Sequence, residues 1–214
     1  MTSNLKISSM NVQGLGDQSK RRDVLNYLKI KKYNIYCIQD THFVDKDIPY
    51  IRSMWGFECY FSNLNSQSRG VAIFINNNFD YKFKSLEKDM SGNLLILNFT
   101  SFDSDLTLVC IYAPNKDNPQ FYQTIYDKIC IKECACILCG DFNLVLNPDV
   151  DCLNYVNINK PKARVTVQHL ILELDLIDCW REDHLEDRKY TWLKVILCTS
   201  EHICSIVRYC FRRL

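Results

Sequence analysis

No apolar stretch in this chain approaches the ~18 uncharged residues that a membrane-crossing helix needs, and no internal repeat or low-complexity tract breaks its pattern. The first shortage excludes a helical membrane span, and the second excludes solenoids and compositionally biased linkers. Neither sign of charge dominates either. Net charge is +1, so a polyanionic partner must be met by a local basic patch. Lys20, Arg21, Arg22 and Lys29, Lys31, Lys32 are the candidates, although such runs are ordinarily solvated helix faces. The opening residues lack the basic-then-apolar order of a secretory leader, because Lys6 sits inside an alternating strand. A soluble protein of nucleus or cytoplasm, neither secreted nor membrane-bound, is expected.

What is present is an ordinary globular composition, 47% apolar and 24% charged over 214 residues, enough for one domain with a sizeable core. Twelve cysteines are many for this length. Cys37, Cys110 and Cys139 lie in apolar runs, where a thiol behaves as a small hydrophobe, and reduced thiols fit best. Cys130, Cys134, Cys136 and Cys139 invite a zinc reading, but their spacing is not that of paired zinc ligands.

Alternation from Leu5 to Met10 predicts a first strand ending at Asn11. Asp17 or Ser19 can cap a helix carrying Val24, Tyr27, Leu28 and Lys31 at helical spacing. A second strand, 35–39, ends at Asp40. Strand, helix, strand in some forty residues is a crossover unit, which makes the strands parallel and brings Asn11 and Asp40 together at one sheet edge. Four β-prone runs follow, at 70–75, 81–86, 94–99 and 106–112, and tandem runs of this kind pair antiparallel. Asn118-Pro119 opens a helix with Phe121, Ile125 and Ile129 on one face. The apolar run 135–138 leads into Gly140-Asp141-Phe142-Asn143, and Thr166 is read as the cap of a further helix. With no helix available between the middle strands, a doubly wound sheet is excluded. The pattern predicts two sheets packed face to face with helices outside.

Four strand ends thus carry polar groups: Asn11, Asp40, Tyr112, and Asp141 with Asn143. An isolated Asn or Asp at a strand end is ordinarily a turn residue, but their recurrence at successive strand mouths points to a site. An acid and an amide two positions apart share one face of the chain, an arrangement suited to gripping a phosphate and steering a water.

Seven segments in order, Met10-Asn11-Val12-Gln13-Gly14-Leu15, Ile38-Gln39-Asp40-Thr41-His42, Ser68-Arg69-Gly70-Val71-Ala72-Ile73, Ile111-Tyr112-Ala113-Pro114-Asn115, Cys139-Gly140-Asp141-Phe142-Asn143, Asp178-Cys179-Trp180-Arg181 and Tyr190-Thr191-Trp192, make the chain resemble the endonuclease/exonuclease/phosphatase superfamily. Within it the chain looks most like the apurinic-type endonuclease domain of LINE-type retrotransposons. The resemblance implies a four-layer α/β sandwich of two mixed sheets flanked by helices. It also implies magnesium-dependent phosphodiester hydrolysis, with manganese as an alternative ion, and DNA as partner. The enzyme would act as a monomer, with a reverse transcriptase following in the same polypeptide. By similarity Asp40 holds the metal and Asn11 supports it, Tyr112 hydrogen-bonds the scissile phosphate, Asp141 orients water or protonates the leaving group, and Asn143 binds phosphate. His42 is structural in this reading. An exonuclease III-like abasic-site nuclease and a non-catalytic nucleic-acid-binding remnant are the alternatives.

Two departures stand out. Asp40 occupies a position where the family usually carries Glu, shortening the reach by about 1.5 Å. After Trp192 the family's Arg-Leu-Asp strand and Ser-Asp-His loop do not follow. Residues 193–214 instead hold four basic groups against one acidic and three of the cysteines, and His202 lacks the family context. The sequence therefore predicts an incomplete domain over 1–192, a foreign tail over 193–214, a sheet lacking its last strands, and weak or absent activity.

Overall fold

The architecture follows from period-two alternation in strands buried on both faces. It is seen in a computed structural model that describes residues 5–132, 134–152, 160–187, 205–206 and 209–213. In β2 (Ile35–Gln39) every residue is buried. Ile35 and Cys37 face one way, into a core shared with Val71, Ile73, Leu95, Leu97, Leu108, Cys110 and Cys139. Tyr36 and Ile38 face the other way, onto Val24, Leu25, Leu28, Ile51 and Trp55. A strand apolar on both faces must be covered twice. One cover is the opposing sheet and the other is a helical layer.

The first sheet holds β1 (Ile7–Asn11), β2, β3 (Cys59–Ser62) and β4 (Val71–Ile75), with β1 and β2 parallel and β4 antiparallel to β2 and β3. Its outer face carries α1 (Gln18–Lys31) and α2 (Ile48–Trp55). The second sheet runs β5 (Lys82–Lys88), β6 (Leu94–Ser101), β7 (Ser104–Tyr112), β8 (Ala135–Asp141), with antiparallel pairs up to β7 and a parallel β7–β8 pair. Its outer face packs on α3 (Pro119–Ile129) and α5 (Pro161–Glu173) through Tyr122, Ile125, Ile129, Val167 and Leu170. A short α4 (Pro148–Asp151), β9 (Leu176–Asp178) and α6 (Cys179–Asp183) follow. The four-layer α/β sandwich expected from the sequence is the observed fold.

Local details depart from the sequence reading in instructive ways. Asp17 is the cap of α1, accepting from the Lys20 N–H. The buried stripe of that helix is Val24, Leu25 and Leu28, with Tyr27 turned outward. Asn118 caps α3 as expected. Thr166 does not cap α5. The helix begins more than a turn earlier at Pro161, and the Thr166 hydroxyl donates to the Lys162 carbonyl within it. The carboxylate of Asp117 receives the Lys162 and Ala163 N–H groups instead, so the capping group comes from a distant loop that no local pattern reveals. The first of the four middle runs, β4, belongs to the other sheet from the remaining three. Elements α2 and β3 were not anticipated; Gly56 at φ 82° closes α2 as a left-handed cap.

Two short segments of the tail occupy strand positions. β10 (Ser205–Ile206) lies antiparallel beside β1, and β11 (Tyr209–Arg213) is hydrogen-bonded between β8 and β9. The sheets are therefore extended by the tail where the sequence reading left them short. The expectations for Tyr190, Thr191, Trp192 and His202 lie outside the described residues.

Cysteine placement follows the same alternation. Cys37, Cys110 and Cys139 meet between the sheets, and hydrogen bonds from the other two thiols, with burial, push the Cys37 thiol well above its usual pKa. Cys136 instead joins the core on the helical side of β8, so Cys136 and Cys139 sit on opposite faces of one strand. Among the described residues no helix is long and apolar enough to cross a membrane.

Gly140 leaves no room for a side chain. Its φ is +139°, and a Cβ there would lie 2.1 Å from the Ile111 carbonyl oxygen. Only glycine permits that approach of β8 to β7. Gly140→Ala is expected to cost about 3 kcal/mol or more, seen as a lower urea midpoint with unchanged m-value.

Candidate active site

Parallel pairing decides where the polar strand ends go. In the first sheet Asn11 is in register with Gln39, the residue before Asp40. In the second, Tyr112 is in register with Asp141. Because the sheets pack face to face, the two mouths adjoin and four separate strand ends meet. The Asn11 amide donates from Nδ2 to Asp141 Oδ2 at 2.8 Å, a bond joining the two sheets. Asn11 Oδ1 accepts the Gln13 N–H at 3.0 Å, which fixes the amide orientation. Asp141 Oδ1 accepts the Asn143 N–H at 2.9 Å, and Asn143 Nδ2 donates to the Ala113 carbonyl at 2.7 Å. Both Asp141 oxygens are thereby aimed.

Asp40 is held on the opposite rim. Its Oδ1 lies 3.0 Å from His42 Nε2 and accepts the Arg69 N–H at 3.2 Å. Loop hydrogen bonds lock this corner: Gly14 N–H to the Asp40 carbonyl, Thr41 N–H to Gly70, and His42 N–H to Arg69. Gly70 sits at φ +104°, and a Cβ would come within 2.3 Å of Thr41 Oγ1. Gln13, Asp40, His42, Arg69 and Asn143 all adopt positive φ, between 49° and 64°. Left-handed non-glycine residues cost about 1 kcal/mol or more each and gather where side chains must be aimed against local preference. Here the five gather around one mouth.

Tyr112 is the point where both rims are felt. Burial, the negative charges of Asp40 and Asp141, and a hydrogen bond with Asp40 push its phenol up to about 12, opposed by the Arg69 guanidinium. The phenol therefore remains a donor at any physiological pH. The Asn93 side chain donates to the Tyr112 carbonyl, and Tyr112 N–H donates to the Asn93 carbonyl at 2.8 Å. Asn93 Oδ1 also accepts Arg69 Nη1 at 3.1 Å.

The structure thus brings Asn11, Asp40, Tyr112, Asp141 and Asn143 into one site, and it adds cations to which the sequence reading gave no role there. Arg69 lies in the Ser68–Ile73 segment. Lys160 carried no signal at all. Lys20 was named only within a basic run, and its neighbour Arg21 is structural: buried, donating to the Leu15 and Gly16 carbonyls and stacked over Phe43. Lys29 is likewise tied back, to the Met54 carbonyl and the Trp55 ring.

The donor set of this mouth is oxygen: the Asp40 carboxylate and the Asn11 amide oxygen, with Asp141 behind. Hard dications such as magnesium prefer that chemistry and need few protein ligands. Among the described residues no three His, Cys, Asp or Glu side chains form a ligand cluster. One carboxylate and one amide fit an ion that keeps most of its waters and completes its shell with phosphate oxygens.

No family model matches the chain. Over 203 residues, 89% of this chain, it is 26% identical to the transposon TX1 uncharacterized 149 kDa protein of Xenopus laevis, of whose length it spans 15%. It superposes on an AP endonuclease from Archaeoglobus fulgidus with a TM-score of 0.70 at 23% identity, covering 98% of this chain and 86% of that one. The 3′ phosphatase NExo from Neisseria, bound to a product DNA hairpin, gives 0.69 at 19% identity over 98% and 86% of the two chains.

The Tyr112 electrostatics can be measured directly. In absorbance titration at 295 nm Tyr112 is expected to belong to the late-titrating tyrosines, near 12, and Asp40→Asn should move part of that late absorbance to lower pH by removing a charge and a hydrogen bond. Because the folded state holds this proton above the ordinary tyrosine pKa of about 10, its contribution to stability is complete below pH ~10. It is lost as pH rises toward the folded value.

Proposed function

From a fold that is the AP-endonuclease form of the endonuclease/exonuclease/phosphatase sandwich, and a sequence relative in a transposon protein, we propose that the chain is a magnesium-dependent DNA endonuclease domain of LINE retrotransposon type. Its role is to nick target DNA. The observation that carries this is the convergence of Asn11, Asp40, Tyr112 and Asp141 from four strand ends, with the Asn11–Asp141 bond closing the gap between sheets.

Asp141, aimed by Asn11 and Asn143, orients the attacking water or hands a proton to the departing oxygen. The water oxygen bonds to phosphorus, the P–O3′ bond breaks, and the 3′ oxygen leaves as a hydroxyl. Tyr112, kept protonated, donates to a non-bridging phosphate oxygen, and Asn143 and Asn11 bind the phosphate beside it. Asp40 with Asn11 holds magnesium or manganese; when bound, the ion neutralises charge building on the phosphate oxygens. Lys160, Arg69 and Lys20 keep the mouth electropositive. The 3′ hydroxyl exposed by the nick is the end a reverse transcriptase would extend.

Residues 1–192 carry this machinery, and 193–214 are a tail foreign to the family, of which 205–206 and 209–213 occupy strand positions beside β1 and β8. Asp40 reaches about 1.5 Å less far than the Glu usual at that position, which weakens metal binding and makes turnover slow.

Supercoiled-plasmid nicking with magnesium tests the reading. Wild-type chain is expected to nick slowly, Asp40→Glu to nick faster by restoring reach, and Asp141→Ala to lose the residual activity. Activity indifferent to Asp141→Ala would sink the assignment. Preferential cutting of an abasic duplex over intact plasmid would move it to the exonuclease III-like class. DNA binding without any cleavage in either variant would leave a binding remnant.

A further inference from the structure

Two lysines stand at the rim of the mouth in an unusual state. Lys20, in the first turn of α1, points its ammonium back over the end of β1, donating to the Val12 carbonyl at 2.7 Å and the Gln13 carbonyl at 3.0 Å. Lys160, immediately before α5 and itself at φ 57°, donates to the Asn143 carbonyl and to the Pro114 carbonyl at 3.5 Å. The first is tied to the loop after β1. The second bridges the loops after β7 and β8. Each feels one of the site carboxylates electrostatically, Lys20 that of Asp40 and Lys160 that of Asp141.

Their partners are neutral. Neither lysine appears in an ion pair among the described residues, where six such pairs within 4.0 Å are found elsewhere. Both are partly withdrawn from water, which lowers each ammonium from the ordinary lysine pKa despite the attraction of the nearby carboxylates. A half-withdrawn ammonium whose hydrogen bonds go to carbonyls keeps its charge available to an anion that approaches the mouth. An ammonium has three donors, and two of them are already spent on fixing its position. The long stem has lost its rotamer freedom, so little further entropy is lost on binding an anion.

We propose that Lys20 and Lys160 are a pre-positioned two-point clamp on the nucleic-acid backbone, each contacting a phosphate flanking the one held between Asp40 and Asp141. Lys20 serves the side of the first sheet and Lys160 the side of the second. This rests on the nuclease reading above and deepens it, because it assigns two backbone-binding residues outside the set that touches the reacting phosphate. Such contacts position the strand without reading its sequence.

The test is equilibrium binding of a short fluorescent duplex in EDTA, so that nothing is cleaved, across a salt series. Each phosphate contact adds about 0.9 to the slope of log affinity against log salt. Lys20→Gln and Lys160→Gln keep a donor for the carbonyls but remove the charge. Each is expected to flatten the slope by about that amount, equally for unrelated sequences, and the double variant by twice as much. Between roughly 50 and 200 mM salt, wild-type affinity should then fall about 3.5-fold more than that of either single variant. Lys20→Arg should keep the wild-type slope, and Lys82→Gln, on the exposed edge strand β5, should leave it unchanged. A folded Lys20→Gln or Lys160→Gln protein, checked by thermal melting, with wild-type slope overturns the clamp while leaving the nuclease reading intact. A wild-type chain that does not bind DNA at low salt overturns both.

Discussion

One hydrogen bond, from the Asn11 amide to the Asp141 carboxylate, spans 130 residues of sequence and the gap between two sheets. Everything at the site is arranged so that it can form. It requires β1 and β2 parallel in one sheet, β7 and β8 parallel in the other, and the two sheets packed so that their C-terminal mouths open at the same edge. The shared core of Ile35, Cys37, Ile73, Leu97, Leu108, Cys110 and Cys139 supplies that alignment. Close packing then leaves little latitude for the strands to slide, and a fixed pair of sheets makes a fixed distance between their polar ends.

The loops around this bond are strained in a directed way. Asp40 and His42 are both left-handed with buried Thr41 between them, so the two polar side chains reach the same side and meet at 3.0 Å. Asn143 is left-handed as well, which turns its N–H back onto Asp141 while its carbonyl receives Lys160. The conformational cost is offset by backbone hydrogen bonds among the loops after β1, after β2 and before β4. Remote groups then hold the second layer: the Asp89 carboxylate accepts from Ser62, Asn93 and Leu94, and Asn93 in turn reaches Arg69 and Tyr112. The geometry of such a mouth is set by the residues behind its polar side chains as much as by those side chains themselves.

Charge is distributed with the same economy. A chain of net +1 has no strong global field, so its cations act locally: Arg69 tied to Asn93 beside Tyr112, and Lys20 and Lys160 pinned on loop carbonyls at the rim. Other basic residues of α1 are committed to structure, Arg21 to loop carbonyls and Lys29 to the end of α2. A basic run in sequence therefore divides, residue by residue, between the interior and the site.

Much of this was legible before any coordinates. Alternation and continuous apolar runs gave both sheets, the crossover from β1 to β2 gave the proximity of Asn11 and Asp40, and the polar residues at strand ends gave Asp141, Asn143 and Tyr112. These are local periodicities and chain-connectivity rules, which a sequence carries in full. The cap of α5 by Asp117, the assignment of β4 to the other sheet, the strand positions of 205–206 and 209–213, and the anchoring of Lys20 and Lys160 on loop carbonyls were not legible. Each depends on groups far apart in sequence meeting through packing, or on which of several equivalent lysines finds a carbonyl to grip. The sequence by itself determined which side chains stand at the strand ends. Only the tertiary structure decided which of them share a hydrogen bond and which cations face them, because those pairings exist only once two separately formed sheets are pressed together.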